Sequence, residues 1–338
     1  MTVLLDEDKI EAIISEKKPS RIAFNTPDGL LRVTRDFAKR LEARYPKLHC
    51  IMIGDPTYGS CDTVDIDAQR LGADVAFHIG HNVMIQRFGK ITYSIDAFDD
   101  VSFSSVVLKA AEMMKSRSFK KAGLATFAQH IMELPNVMAE FKNLGIEGVV
   151  GKGMGQLRDG QIFGCEFYPA YNIRDQVDVM LLLGQSMFHA LGLCLSTGKP
   201  TFMLDPYSSE VIDVQRTADE RLKRAILSIY KAKDADNFGI IIGLKEGQIM
   251  TDQSLKIKKK LESFGKSAQL IALREITSER IDAFTDLQAF VQTGCPRISI
   301  DGYTFSKPVL SVPQTDALIN LLSGRKIESN ILERKHWL

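Results

Sequence analysis

Five cysteines in 338 residues, an odd number with no CxxC pair among them, exclude a disulfide framework and fit a reducing compartment. The CxxxCxxC loop is absent as well. Charge of one sign is not in excess. Forty-three basic against 42 acidic side chains give no overall field that would draw nucleic acid or an anionic membrane, so direct nucleic-acid binding is not expected. Long apolar runs are also missing. The most apolar stretch, 177–195, is interrupted by Gly184, Gln185 and His189 and reads as strand, turn and helix, not as a membrane span. Asp6, Glu7, Asp8 and Glu11 crowd the start of the chain with charge that no secretory or transit peptide carries, and a cytoplasmic protein is expected. The single tryptophan, Trp337, lies in a tail, 331–338, that reads as a cover for a domain or a partner.

What is present is an ordinary globular composition, 45% hydrophobic and 25% charged, at a length beyond the growth limit of one core. The organising feature is a repeat. Three apolar strand candidates, 21–25, 121–127 and 237–244, are each followed by an amphipathic helix, at 30–45, 134–144 and 254–264. Second strands follow at 50–54, 148–151 and 269–273, then a short helix in each case. Third strands close at a glycine, 73–80, 177–184 and 287–294, and a fourth apolar run comes next, at 91–96, 200–206 and 309–313. Strands alternating with helices imply right-handed βαβ units and parallel sheets. The expected fold is therefore α/β, with three homologous parallel-sheet domains (an internal triplication) at 1–102, 103–213 and 214–338 around a central site. Helices at 103–115 and 215–231 join the copies, and the basic residues of the second read as a solvated face.

The cysteines fall into register with this repeat. Cys61 precedes Gly80 by 19 residues, and Cys165 precedes Gly184 by the same 19. In the third copy that place is Glu275, and the thiol stands instead at Cys295, directly after the closing glycine. Cys50 and Cys194 lie inside apolar segments and read as core. A thiol at the carboxyl edge of a parallel sheet is at the edge where ligands collect. Structural zinc takes four ligands, commonly from CxxC pairs, and fits this set poorly. A 4Fe-4S cube held by three cysteines would keep one iron open for chemistry. Spacing alone leaves that reading level with one of three unrelated core cysteines.

The stretch Gly54-Asp55-Pro56-Thr57-Tyr58-Gly59-Ser60-Cys61-Asp62 resembles the archaeal enzyme family of the first step of diphthamide biosynthesis, 2-(3-amino-3-carboxypropyl)histidine synthase. The same holds for Leu71-Gly72-Ala73-Asp74, His78-Ile79-Gly80-His81, Thr26-Pro27-Asp28-Gly29-Leu30-Leu31, Gly164-Cys165 and Gly294-Cys295-Pro296-Arg297-Ile298-Ser299-Ile300-Asp301. The resemblance spans nearly the whole chain and is weakest around Cys165. It implies a homodimer in which Cys61, Cys165 and Cys295 hold a 4Fe-4S cluster. It further implies a noncanonical radical S-adenosylmethionine enzyme: an electron donor reduces the cluster, and the sulfur to γ-carbon bond of S-adenosylmethionine breaks. The 3-amino-3-carboxypropyl radical adds to C2 of a histidine of translation elongation factor 2, the protein partner, and methylthioadenosine is left.

The S-adenosylmethionine contacts expected from position are Asp55, His81, Gln185 and Arg297, with the last three in turns after the closing strands. Arg297 has the planar fork suited to a methionine carboxylate, and an interdomain ion pair is its equal alternative. His81, followed by Asn82, reads as a polar pocket wall. Asp28 and Asp55 also suit backbone bonding in turns. Gly151-Lys152-Gly153-Met154-Gly155 is assigned no phosphate. Two rivals stand beside this reading: a 4Fe-4S Lewis-acid dehydratase of the quinolinate synthase type, which does not account for the segment 295–301, and a non-catalytic scaffold with three core cysteines.

Overall fold

The computed structural model describes residues 3–81, 89–301 and 305–338. Its framework is three sheets, each built on four parallel strands in one spatial order: second, first, third, fourth. The first sheet runs His49–Met52, Arg21–Asn25, Val75–Ile79, Thr92–Ile95. In the second the order is Glu147–Val150, Lys121–Thr126, Val179–Leu183, Thr201–Asp205. The third runs Ser267–Leu273, Asn237–Gly243, Ala289–Gln292, Val309–Leu310. All of these neighbours pair in parallel. The central strands are mostly apolar because helices cover both faces: Val179–Leu183 is apolar and buried throughout, and Val75–Ile79 is buried throughout with His78 as its one polar residue.

Two pieces lie outside the repeat pattern read from the sequence. Glu210–Asp213 adds an antiparallel fifth strand to the second sheet, and Val3–Leu5 pairs antiparallel with Ala97–Asp99 as a separate ribbon. The helix Glu7–Lys17 was likewise not expected; Asp6 caps its start by accepting from the Lys9 N–H. The basic helix, Gln215–Lys233, buries Ala218, Ala225, Ile229 and Ala232 and turns Arg216 to solvent, so its charge is a wetted face. No helix among the described residues is long and apolar enough to cross a membrane.

The apolar interior is unevenly shared. One cluster runs continuously from the second sheet (Met180, Leu182, Met203) into the third (Phe238, Ile240, Val291) and takes in Trp337. The clusters holding the first sheet's residues contain none from the third. Those two sheets meet instead across polar contacts: Lys245 to Asp62 at 2.7 Å and Arg274 to Asp67 at 3.5 Å. Within the first sheet, Phe77 is fully buried between the rings of Phe24 (5.6 Å) and Tyr93 (6.4 Å). Phe77→Ala is expected to cost about 3–5 kcal/mol, the range for emptying a buried aromatic site. Chemical denaturation followed by circular dichroism checks this.

Candidate functional site

Each cysteine loop leaves the carboxyl edge of its sheet. Cys61 lies between Met52, the end of a second strand, and the helix Asp65–Arg70. Asn25, at the end of the neighbouring strand, donates from Nδ2 to the Asp62 carbonyl at 2.8 Å and holds the loop against the sheet. The same amide meets His78 Nδ1 at 2.8 Å, which makes that nitrogen the acceptor. The rest of the support comes from the third sheet. Gly247 N–H donates to the Cys61 carbonyl at 2.9 Å, and Gln248 Nε2 donates to Cys61 Sγ at 3.4 Å. Lys245 is buried and reaches Asp62 (2.7 Å) and Glu275 (3.0 Å) with the Tyr58 ring 4.5 Å from its ammonium. Burial pushes the Lys245 ammonium down, but Asp62 and Glu275 outweigh it and hold its pKa above the ordinary value. Glu246 accepts from Thr63 Oγ1 (2.9 Å) and the Ile66 N–H (2.7 Å), so it caps the helix that follows Cys61.

A side chain at 247 has no room. A Cβ there would stand 2.5 Å from Cys61 Cα and 2.7 Å from its carbonyl oxygen, both backbone atoms that cannot swing aside. Sequence reading missed the whole segment 245–248. Its one visible signal is a mixed polar tetrapeptide directly after a strand in the sheet that lacks a cysteine in register.

Cys165 lies in irregular chain between Val150 and the helix Tyr168–Ile173. The Trp337 N–H donates to its carbonyl at 3.0 Å, and the Gly164 carbonyl accepts from Arg297 at 3.3 Å. Cys295 follows the strand Ala289–Gln292 after a two-residue turn, Thr293-Gly294, and is the N-cap residue of the short helix Pro296–Ile300. Gln292 Nε2 fixes that turn by donating to the Cys295 carbonyl at 2.8 Å and to Ser299 Oγ at 3.1 Å.

Electrostatics links the three thiols. Burial pushes all three up. Beyond burial, Cys165 is raised by the charges of Cys61 and Cys295, and Cys295, at about 11, is raised by Cys61. The other two cysteines behave differently. Cys50 is raised to about 12 by burial and Glu42, and Cys194 to about 12 by burial and two aspartates, with no contribution from another cysteine. All three site cysteines stay partly accessible, whereas Cys194 is buried. Among the described residues no three of His, Cys, Asp and Glu close around a single ion. Three thiols that feel each other without crowding one point suit a polynuclear group, in which each sulfur binds its own metal.

The residues expected to contact a small ligand divide. Asp55 and Gln185 are exposed, and Gln185 Oε1 stands 3.4 Å from His130 Nε2. His81 has a buried Nδ1 with no hydrogen-bond partner, and burial pushes its pKa down to about 4. Asn82, which shaped the reading of His81, lies outside the described residues. His189, a site residue the sequence reading treated only as a break in an apolar run, is pushed to about 3 by burial and then by the charges of Arg297 and His81. His81, His189 and Arg297 therefore share one space.

Arg297 takes up the ion pair that the sequence left as its equal alternative, though with a partner on its own helix. Its fork, matched in sequence to an incoming carboxylate, is already engaged: it pairs with Asp301 through Nε (2.6 Å) and Nη2 (2.7 Å) and donates to the Phe188 carbonyl at 2.6 Å. The loop 151–155 is likewise closed by its own chain, through Lys152 to Asp159 at 2.8 Å and the Gly153 N–H to the same carboxylate.

A family model described as a diphthamide synthesis protein matches residues 26–329. The chain is 30% identical over 325 residues to the 2-(3-amino-3-carboxypropyl)histidine synthase of Pyrococcus horikoshii, across 94% of this chain and 92% of that protein. It is 28% identical over 293 residues to subunit 1 of the corresponding synthase of Gibberella zeae, across 86% of this chain and 63% of the subunit. A crystal structure of Dph2 from Pyrococcus horikoshii with a 4Fe-4S cluster superposes with a TM-score of 0.81 at 28% identity, covering 96% of this chain and 93% of that one.

Metal-free protein is expected to show a steep pH dependence of thiol reactivity. The thiolate is the reactive form, so alkylation of Cys295 by iodoacetamide should rise about tenfold per pH unit and level off only near its pKa of about 11. Peptide mapping across pH measures it; a plateau near pH 8.5 would show an unperturbed thiol.

Proposed function

Because the chain belongs to the diphthamide synthesis protein family, we propose that Cys61, Cys165 and Cys295 hold a 4Fe-4S cluster and that the protein transfers the 3-amino-3-carboxypropyl group of S-adenosylmethionine to C2 of a histidine in translation elongation factor 2. The observation that carries this reading is the delivery of three thiols from the carboxyl edges of three sheets, with Cys165 raised by the charges of Cys61 and Cys295. The donor set fits the cluster: soft, partly accessible sulfurs whose own charges repel in the absence of a cation. With three protein ligands, a bound cluster supplies one-electron chemistry at an iron left free for the sulfonium substrate, and an electron donor must keep it reduced.

The chain's own residues supply the surroundings. Burial keeps His81 and His189 neutral, so the wall they form does not repel a cationic sulfonium. Loading releases protons from the three thiols, whose pKa values all lie above the ordinary thiol range. The pocket's hold on a bound sulfonium would decide which of its bonds lies in position to break, a positioning effect. In the transfer the bond from sulfur to the γ-carbon breaks, a carbon–carbon bond forms at imidazole C2, the C2 proton leaves and methylthioadenosine departs, with no net oxidation.

The same reading extends to organisation. The shared strand order supports three copies of one unit, at 1–102, 103–213 and 214–338, and the working form is proposed to be a cytoplasmic homodimer. The dehydratase alternative has no support in the relatives, which carry the synthase name. A scaffold with three unrelated core cysteines would leave the thiols independent, and these are coupled.

Protein purified without oxygen is expected to be brown with about four irons per chain. Cys61→Ala, Cys165→Ala and Cys295→Ala should each lose most of that iron, while Cys50→Ala and Cys194→Ala keep it. Incubating the reduced wild type with S-adenosylmethionine and elongation factor 2 should yield methylthioadenosine and a heavier target histidine. Iron-free protein, or equal iron in all five variants, would overturn the assignment.

A further inference from the structure

The segment 331–338 ends at the cysteine whose loop has the least structure of its own. Its backbone runs antiparallel beside that loop: Glu166 and His336 form a bridge, the Phe167 N–H donates to the Lys335 carbonyl at 2.8 Å, and the Trp337 N–H donates to the Cys165 carbonyl at 3.0 Å. The Glu166 and His336 side chains pair across the same bridge. Trp337 is fully buried, packs its indole on Phe167 at 4.9 Å between ring centres, and donates from Nε1 to the Leu332 carbonyl at 2.8 Å. The segment thus pins Cys165 and the two residues that follow it.

A second contact ties this clamp to another site cysteine. Arg297, two residues after Cys295, is 2% exposed, and its guanidinium lies over the Phe188 ring at 3.8 Å and the Trp337 ring at 5.5 Å. It donates to the Gly164 carbonyl, directly before Cys165. Gly192 makes the space: a Cβ there would meet Arg297 Nη1 at 2.4 Å and the Phe167 ring at 2.6 Å. Backbone on either side of Cys165 is therefore bonded to groups that move with Trp337 and with Cys295.

We propose that the segment 331–338 is the arm that fixes Cys165 relative to Cys295, with Trp337 and Arg297 as positioning residues for the third sulfur of the cluster site. Irregular backbone without such a partner opens locally at little free-energy cost, and a wandering sulfur cannot hold its metal. The proposal rests on the cluster reading, but its first test needs no metal.

The experiment compares wild type, Trp337→Ala and Trp337→Phe in the full chain. In metal-free protein the rates of iodoacetamide alkylation at Cys61, Cys165 and Cys295 are mapped by mass spectrometry. Trp337→Ala, which empties the ring site against Phe167, should raise the rate at Cys165 at least about fivefold with Cys61 unchanged, the signature of local and not global opening, and Trp337→Phe, which keeps an aromatic ring there while losing the Nε1 bond to Leu332, should return the rate to within about twofold of wild type. In loaded protein, iron loss to a chelator should accelerate in Trp337→Ala and return to the wild-type rate in Trp337→Phe. Should Trp337→Ala fail to fold, Arg297→Lys takes its place, with the same selective rise at Cys165 expected. A folded variant whose Cys165 reacts as in wild type, or in which Cys61 rises equally, overturns the proposal. Wild type that takes up no iron overturns the cluster reading, while the alkylation pattern still decides the role of the arm.

Discussion

Everything at the site turns on gathering three thiols that repel one another once ionised. Each comes from the edge of a different sheet, and burial together with the neighbouring sulfurs raises their pKa values. In the absence of metal the protons stay on, and the loops need no counter-charge. A cationic group bound between them reverses the balance, because the charges that disfavour each other then have a common partner. The fold's contribution is to bear the cost of this arrangement in advance, through backbone bonds that leave the sulfurs no other place to go.

Those bonds are distributed unevenly. Cys165 and Cys295 belong to sheets that share one apolar cluster, and Arg297 bridges them. Cys61 is carried by a sheet whose apolar clusters include nothing from the third, and it reaches the site through Lys245, Glu246, Gly247 and Gln248. The ion pair of Lys245 with Asp62 is nearly dry, with the two side chains 8% and 11% exposed, so its value lies in fixing register more than in net stability. A shared apolar cluster joins the sheets that carry two of the cysteines, and directional polar bonds join the loop of the third to them.

The strands were legible in the sequence because short apolar runs between turn residues admit few alternatives, and Arg21–Asn25 appears as read. The closing glycines were legible for a physical reason that the structure makes explicit in two of three cases: Gly80 and Gly184 adopt φ of +86° and +127°, a region that disfavours side chains. Three-residue strands such as Val3–Leu5 carry no period and were missed. The cysteine register singled out three thiols without showing what supports their loops. Contacts such as Lys245 to Asp62, 183 residues apart, join side chains that no local pattern connects. For Arg297 the sequence left a ligand carboxylate and an ion pair level, because a buried guanidinium between two rings and an aspartate looks the same in sequence as one awaiting a ligand.

One feature of the arm reaches beyond its architecture. The chain's single indole belongs to the residue whose backbone N–H bonds the Cys165 carbonyl, and it is buried from water and hydrogen-bonded at its ring nitrogen. Light emitted from this protein above the tyrosine band therefore originates at one known point, next to the sulfur where a strongly absorbing inorganic chromophore would attach. The molecule carries its own lamp at its own socket, and filling that socket should dim it.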